Sequence, residues 1–253
     1  TAANGGITLS GISSVWSSAL YSPLEVLAVS GPIRWSNSDS SDGIYSETSR
    51  INLGSRSTVT GLTNSSSDVT FYLKKLYGGL NMSIATTGFV KVQGVDGTAS
   101  FGQAFNSNQF GLNATSQIMR GFIFGNEANT QTLTINQTLT ANGPISVYGG
   151  AISVNNSVTS TAAGAGILLK ARGNITSISD LTYSTNAGDI TFWSDSDGSG
   201  GGYIYVQDRN TIDTRTSANR TSALISTASG GGTITLGGGT TSTTLASGTV
   251  VPN

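Results

Sequence analysis

The chain contains no cysteine and no histidine, and only 4 prolines among its 253 residues. Charge is nearly as scarce. Twelve Lys and Arg face 13 Asp and Glu, so charged residues make up 10% of the chain and the formal net charge is −1. Without cysteine there is neither a disulfide framework nor a thiolate metal site. Without histidine the commonest general base, the Ser-His-Asp triad and most zinc sites are excluded. Nucleic-acid binding draws its affinity from clustered Lys and Arg, and the largest cluster here is Lys74-Lys75, which argues against DNA or RNA as a partner. No apolar run approaches the ~20 residues that cross a bilayer as a helix, so membrane insertion is not expected. Collagen is excluded, because the 34 glycines follow no three-residue period.

What the chain does have is a repeat. Isoleucine returns about every 22 residues at Ile145, Ile167, Ile190, Ile212 and Ile234, with Ile123 one step earlier. Each of the five sits in a short β-like run, and Gly, Ser, Thr and Asn fill most of the space between. A second apolar column runs through Ile152, Ile175, Ile204, Ile225 and Leu245, with steps of 23, 29, 21 and 20 residues. The long step holds Ser194 to Gly202, which reads as an excursion from one coil. A fixed period in this range marks an array in which one coil cannot bury its apolar face alone. The expected fold is therefore all-β, a parallel β-helix or β-solenoid of about 22 residues per coil, with Gly, Asn and Asp at the corners.

At that period the chain reads as one solenoid segment, 1–253, of roughly eleven coils and on the order of 50 Å if every residue joins a coil. It opens at Thr1 without a basic-then-apolar leader and breaks off with repeat-like character still present, which reads as a piece of something longer. The region 60–130 keeps the period poorly and is dense in aromatics, among them Phe71, Phe89, Phe101, Phe105, Phe110, Phe122 and Phe124. If the chain has a specialised binding surface, that stretch is where it is expected.

The phrases Gly143-Pro144-Ile145-Ser146-Val147-Tyr148, Gly166-Ile167-Leu168-Leu169, Gly188-Asp189-Ile190-Thr191-Phe192-Trp193 and Gly232-Thr233-Ile234-Thr235-Leu236 resemble the β-strand repeats of giant secreted bacterial adhesins. These are the filamentous-haemagglutinin-like proteins, especially those of gliding and related Bacteroidota. The resemblance covers residues 131–240 well and the first 60 more loosely. It implies a right-handed β-helical stalk, extracellular or on the cell surface, with other copies or segments of the same filament, surface glycans or environmental surfaces as partners.

Two groups of residues are candidate sites. Asp195, Asp197 and Ser199, with Gly200, match the first part of a calcium loop, but position 12 is Val206 rather than a bidentate Glu. A polar corner loop whose side chains cap backbone amides explains the same residues. Trp35 and Trp193 occur in similar phrases, Ile33-Arg34-Trp35-Ser36 and Ile190-Thr191-Phe192-Trp193-Ser194. They are candidate stacking platforms for sugars, with Tyr203 and Tyr205, or packed side chains at a coil corner.

Parallel β-helices also host polysaccharide lyases and hydrolases. Here Asp189, Asp195 and Asp197 form the densest acidic group, and Asp195 and Asp197 lie in a glycine-rich loop with no Lys or Arg inside it. Such carboxylates are more often solvated corners than an acid–base pair. Thr-x-Thr runs such as Thr233-Ile234-Thr235 suggest ice binding, but the residues flanking the isoleucines are too varied for a flat array. The expectation is a non-enzymatic stalk or adhesive segment without a cofactor, with a carbohydrate-binding or polysaccharide-cleaving β-helix as the alternative.

Overall fold

A computed structural model describes residues 68, 70–71, 87–94, 97–110, 119–216 and 230–252 with their side chains, and the backbone of further strands named below. The chain falls into two compact units, Thr1–Gln131 and Thr132–Asn253. Both are built from short, stacked parallel strands, as expected of a parallel β-helix. Among the described residues there is no α-helix; a 3-10 turn spans Ser107–Phe110.

The first unit opens with β1 (Ile7–Leu9), β2 (Leu24–Leu27), β3 (Ile33–Ser36), β4 (Ile44–Tyr45) and β5 (Arg50–Gly54). It continues with β6 (Val69–Tyr72), β7 (Leu76–Tyr77), β8 (Asn81–Ala85), β9 (Phe89–Gln93), β10 (Phe105–Asn106) and β11 (Gly121–Gly125). One parallel ladder runs β1-β3-β6-β9-β11, a second β2-β5-β8, and a third joins β4 to β7. In the first ladder Ile7, Ile33, Val69, Val90 and Phe122 lie in register. The steps between them are 26, 36, 21 and 32 residues, so a uniform 22-residue coil does not hold here. Ile123 stands one place off that column, in register with Lys91.

Six of the aromatic residues of the irregular stretch form a core rather than a surface, while Phe89 is half-buried beneath Lys91 and Arg120. Phe71, Phe101, Phe105, Phe110, Phe122 and Phe124 are all buried. Their rings meet edge-on or tilted, Phe101 on Phe105 at 4.5 Å and Phe110 on Phe124 at 5.8 Å between centroids, in the arrangements the ring quadrupoles favour.

The second unit holds β12 (Leu133–Ile135), β13 (Leu139–Ala141), β14 (Ile145–Gly149), β15 (Ile152–Val154), β16 (Val158–Ala163) and β17 (Ile167–Ala171). These are followed by β18 (Ile175–Ser177), β19 (Thr182–Asn186), β20 (Ile190–Ser194), β21 (Ile204–Val206), β22 (Thr211–Asp213) and β23 (Ile234–Gly238). Three parallel ladders result, β12-β15-β18-β21, β13-β16-β19-β22 and β14-β17-β20-β23. Each coil thus contributes one strand to each ladder. Strands β14 and β17 alternate buried and half-buried residues, which is the period of two expected when one face packs inward.

Register shows which periodicities were real. Ile145, Ile167, Ile190 and Ile234 share one column, and Leu133, Ile152, Ile175 and Ile204 share a second. Ile212 belongs to neither. It sits in register with Tyr183, in the column of Leu139 and Val158. The 44 residues from Ile190 to Ile234 are therefore one enlarged coil, not two of 22. The loop 195–202, between β20 and β21, accounts for part of the enlargement, as the excursion at Ser194–Gly202 suggested. Ile225 lies outside the described residues. Leu245 is no coil position: it opens the turn of a hairpin formed by the antiparallel strands β24 (Ser242–Thr244) and β25 (Val250–Pro252).

The glycine two places before Ile190 and before Ile234 has a steric cause. A Cβ on Gly188 would lie 2.0 Å from the Ala165 carbonyl oxygen, and one on Gly232 would lie 2.2 Å from that of Gly188. At these two corners only glycine lets successive coils approach this closely.

Candidate functional site

The C-terminal hairpin lies against β20, and it changes what that strand can do. Every residue of β20 is buried. Ile190 and Phe192 lie in register with the buried columns of β17. Thr191 and Trp193, at the alternate positions, are 1% and 5% exposed. The Trp193 indole N–H donates to the Gly239 carbonyl at 2.8 Å, and the Lys170 ammonium stands 4.3 Å from the indole centroid, within range of a cation–π contact. Gly237, in register with Trp193, has no room for a side chain, since a Cβ there would meet Pro252 at 2.9 Å.

A single carboxylate fastens the hairpin. Asp189 Oδ1 accepts the Thr233 backbone N–H at 2.7 Å, while Oδ2 accepts the Ser247 and Thr249 hydroxyls, each at 2.6 Å. Burial alone pushes the Asp189 carboxyl up. Donation from Ser247, Thr249 and Thr233 outweighs it and holds the group below the ordinary carboxylate value. A carboxylate so engaged is a weak proton acceptor. Beside it an open hollow of about 200 Å³ is lined by Asp189, Thr191, Thr249, Ser146, Leu168 and Gly166, among others. The Thr191 hydroxyl is buried without a hydrogen-bond partner.

The Asp195–Gly200 loop closes on itself. Asp195 takes φ of 48°, its carbonyl accepts the Gly198 N–H at 2.9 Å, and its Oδ1 accepts the Gly200 N–H at 3.0 Å. Asp197 Oδ1 accepts the Ser199 N–H at 3.2 Å, and Oδ2 pairs with Arg172 at 3.1 Å. Ser199 donation, with the Arg172 charge assisting, holds the Asp197 carboxyl below its usual range against a small burial effect. The cation that the loop sequence lacks is thus supplied by the preceding coil. For the calcium candidate Asp195, Asp197 and Ser199, the consequence is that these oxygens are turned to the loop's own amides and to Arg172. Among the described residues no group of three acidic or other ligating side chains could hold a metal ion.

The two tryptophans are not equivalent. Ile33 and Ile190 each open their strand, which puts Trp35 at the place of Phe192, one residue short of Trp193. Trp35 is in register with the buried Phe71; its side chain lies outside the described residues. Trp193, closed over by the chain's own hairpin, presents no ring face to a sugar. Tyr203 and Tyr205 do, at 53% and 54% exposure beside and within β21.

Sequence reasoning found Asp189 but not its role, and it missed Ser247, Thr249 and Gly239. The available signal was Ser247-Gly248, a turn dipeptide. Gly248 takes φ of 85°, and the Leu245 N–H donates to Thr249 across the turn at 2.9 Å. Set beside known proteins, the chain matches no family model, no curated protein and no solved structure.

Proposed function

We propose that this chain is a structural segment of a secreted or cell-surface bacterial adhesin or extracellular filament, acting as stalk and as presenting surface rather than as an enzyme. The observation that supports this reading is the fate of its polar groups. Asp189, Asp197 and Arg172 hold coils, loop and hairpin together, and the Asp180–Arg209 pair, with contacts of 2.6 and 2.7 Å, clips adjacent coils. Stacked in-register strands give a stiff scaffold from small, uncharged residues, which suits a stalk. Partners of the class expected are further copies or segments of the same filament and surface glycans.

The test is attachment. Cells whose gene lacks the segment are expected to lose adhesion or surface filaments, and unchanged attachment would count against the reading. A second reading, carbohydrate binding, is favoured by Tyr203 and Tyr205, two exposed rings two residues apart along one edge. A glycan array separates the two, with Tyr203→Ala and Tyr205→Ala as controls. A reducing-sugar assay on acidic polysaccharides, with and without calcium, tests cleavage. Release of sugar ends that disappears in Asp195→Ala/Asp197→Ala would overturn the stalk reading.

A further inference from the structure

The buried column of the second unit ends bare. Ile190 and Phe192 are fully buried, yet Ile234 and Leu236, in register with them one coil later, are 44% and 51% exposed. Strand β23 is the last in its ladder and pairs only with β20 among the described strands. The hairpin does not extend that ladder. Strands β24 and β25 form their own antiparallel pair, and Val251 and Pro252 pack against β20 and β23 rather than along the open edge. The edge also lacks the usual deterrents to pairing, since Ile234-Thr235-Leu236-Gly237-Gly238 contains no charge, no proline and no bulge.

Among the described strands β1 is the first of the first unit's ladder, and it runs parallel to β3. Its sequence phrase is Gly5-Gly6-Ile7-Thr8-Leu9, and that of β23 is Gly232-Thr233-Ile234-Thr235-Leu236. Both read Gly-x-Ile-Thr-Leu. Ile7 and Ile234 moreover occupy corresponding places, each in register with the isoleucine that opens the neighbouring strand.

We infer that β23 receives β1 of a second copy of this chain, parallel and in register, with Ile7 on Ile234, Thr8 on Thr235 and Leu9 on Leu236. The contact joins two different surfaces, so it is heterologous. Repeated without ring closure, it gives a linear filament. It covers Ile234 and Leu236 and completes the open row of N–H and C=O groups. The inference deepens the filament reading above and rests on it for its biological use, although the strand pairing can be tested alone.

The absence of cysteine makes the test clean. In-register partners on adjacent parallel strands lie about 4.8 Å apart, within disulfide reach, while a two-residue slip separates them by roughly 8 Å. The full chain carrying Thr8→Cys and Thr235→Cys, oxidised, is expected to give a ladder of multimers on non-reducing gels. Mixed single variants should give only the Thr8→Cys/Thr235→Cys heterodimer. Yield should exceed that of the slipped pair Thr8→Cys/Thr233→Cys by at least about tenfold. Adding Leu236→Asp should abolish the ladder while far-UV circular dichroism stays unchanged. A chain that remains single at high concentration, or crosslinks equally in both registers, overturns the inference. Loss of attachment in the deletion strain without a ladder would reject this contact and leave the adhesin reading standing; a ladder without any attachment phenotype would do the reverse.

Discussion

Ser247 donates its hydroxyl to Asp189 at 2.6 Å across 58 residues of sequence. Thr249 and the Thr233 N–H converge on the same carboxylate, so one acidic side chain joins a coil corner, the next coil and the hairpin. Asp189→Ala removes the acceptor for all three and should cost about 2–4 kcal/mol, whereas Ser247→Ala should cost about 1 kcal/mol. Urea denaturation measures the loss. Limited proteolysis should show cleavage within 240–252 appearing first in Asp189→Ala.

The same carboxylate sets a pH dependence. Its folded-state pKa lies below the ordinary value, so its contribution is present above the unfolded carboxylate pKa, about 3.9, and is lost as pH falls through the folded value. Asp180 and Asp197 are lowered in the same direction and act in the same window. Hairpin protection should hold from neutral pH down to about pH 5 and fall below roughly pH 4. In Asp189→Asn the hairpin's share of that loss should be missing from a proteolysis-versus-pH series.

Alkaline behaviour has a different source. Tyr183 is fully buried against Phe192, with ring centroids 4.8 Å apart. Burial pushes its phenol up to about 12, with the Ser177 hydroxyl pulling weakly the other way. A raised acid contributes stability below its unfolded pKa of about 10 and loses it as pH rises through the folded value. Ultraviolet titration should therefore show one tyrosine ionising near 12. Thermal stability should decline above about pH 10, and Tyr183→Phe should lessen the decline.

Corner glycines give a packing test. Gly188→Ala forces a Cβ to within 2.0 Å of the Ala165 oxygen and should cost about 3 kcal/mol. At Gly164 a Cβ would meet nothing within 4 Å, but φ is +75°, so Gly164→Ala should cost only about 1 kcal/mol. Melting temperatures of the two variants should keep that order.

How far the sequence could be read follows from what repetition encodes. Ile145, Ile167 and Ile190 were legible as a column because identical residues stack on one another in parallel ladders. Ile212 misleads because it falls halfway between Ile190 and Ile234 in sequence while belonging to the Tyr183 face. Spacing counts residues and cannot tell which face of a coil they reach. Trp193 was legible as a packed residue, but the partner that covers it was not. Ser242-Thr243-Thr244 reads like any other strand of the array, and its antiparallel return depends on contacts with Asp189 and Trp193 that no local pattern announces.

The central claim, that this chain serves as a surface stalk, is tested most directly by where it resides. Antibodies raised against residues 132–253 should label intact, unpermeabilised source cells or filaments shed from them, and external protease should remove that signal. Labelling that appears only after permeabilisation, and survives external protease, would contradict the account.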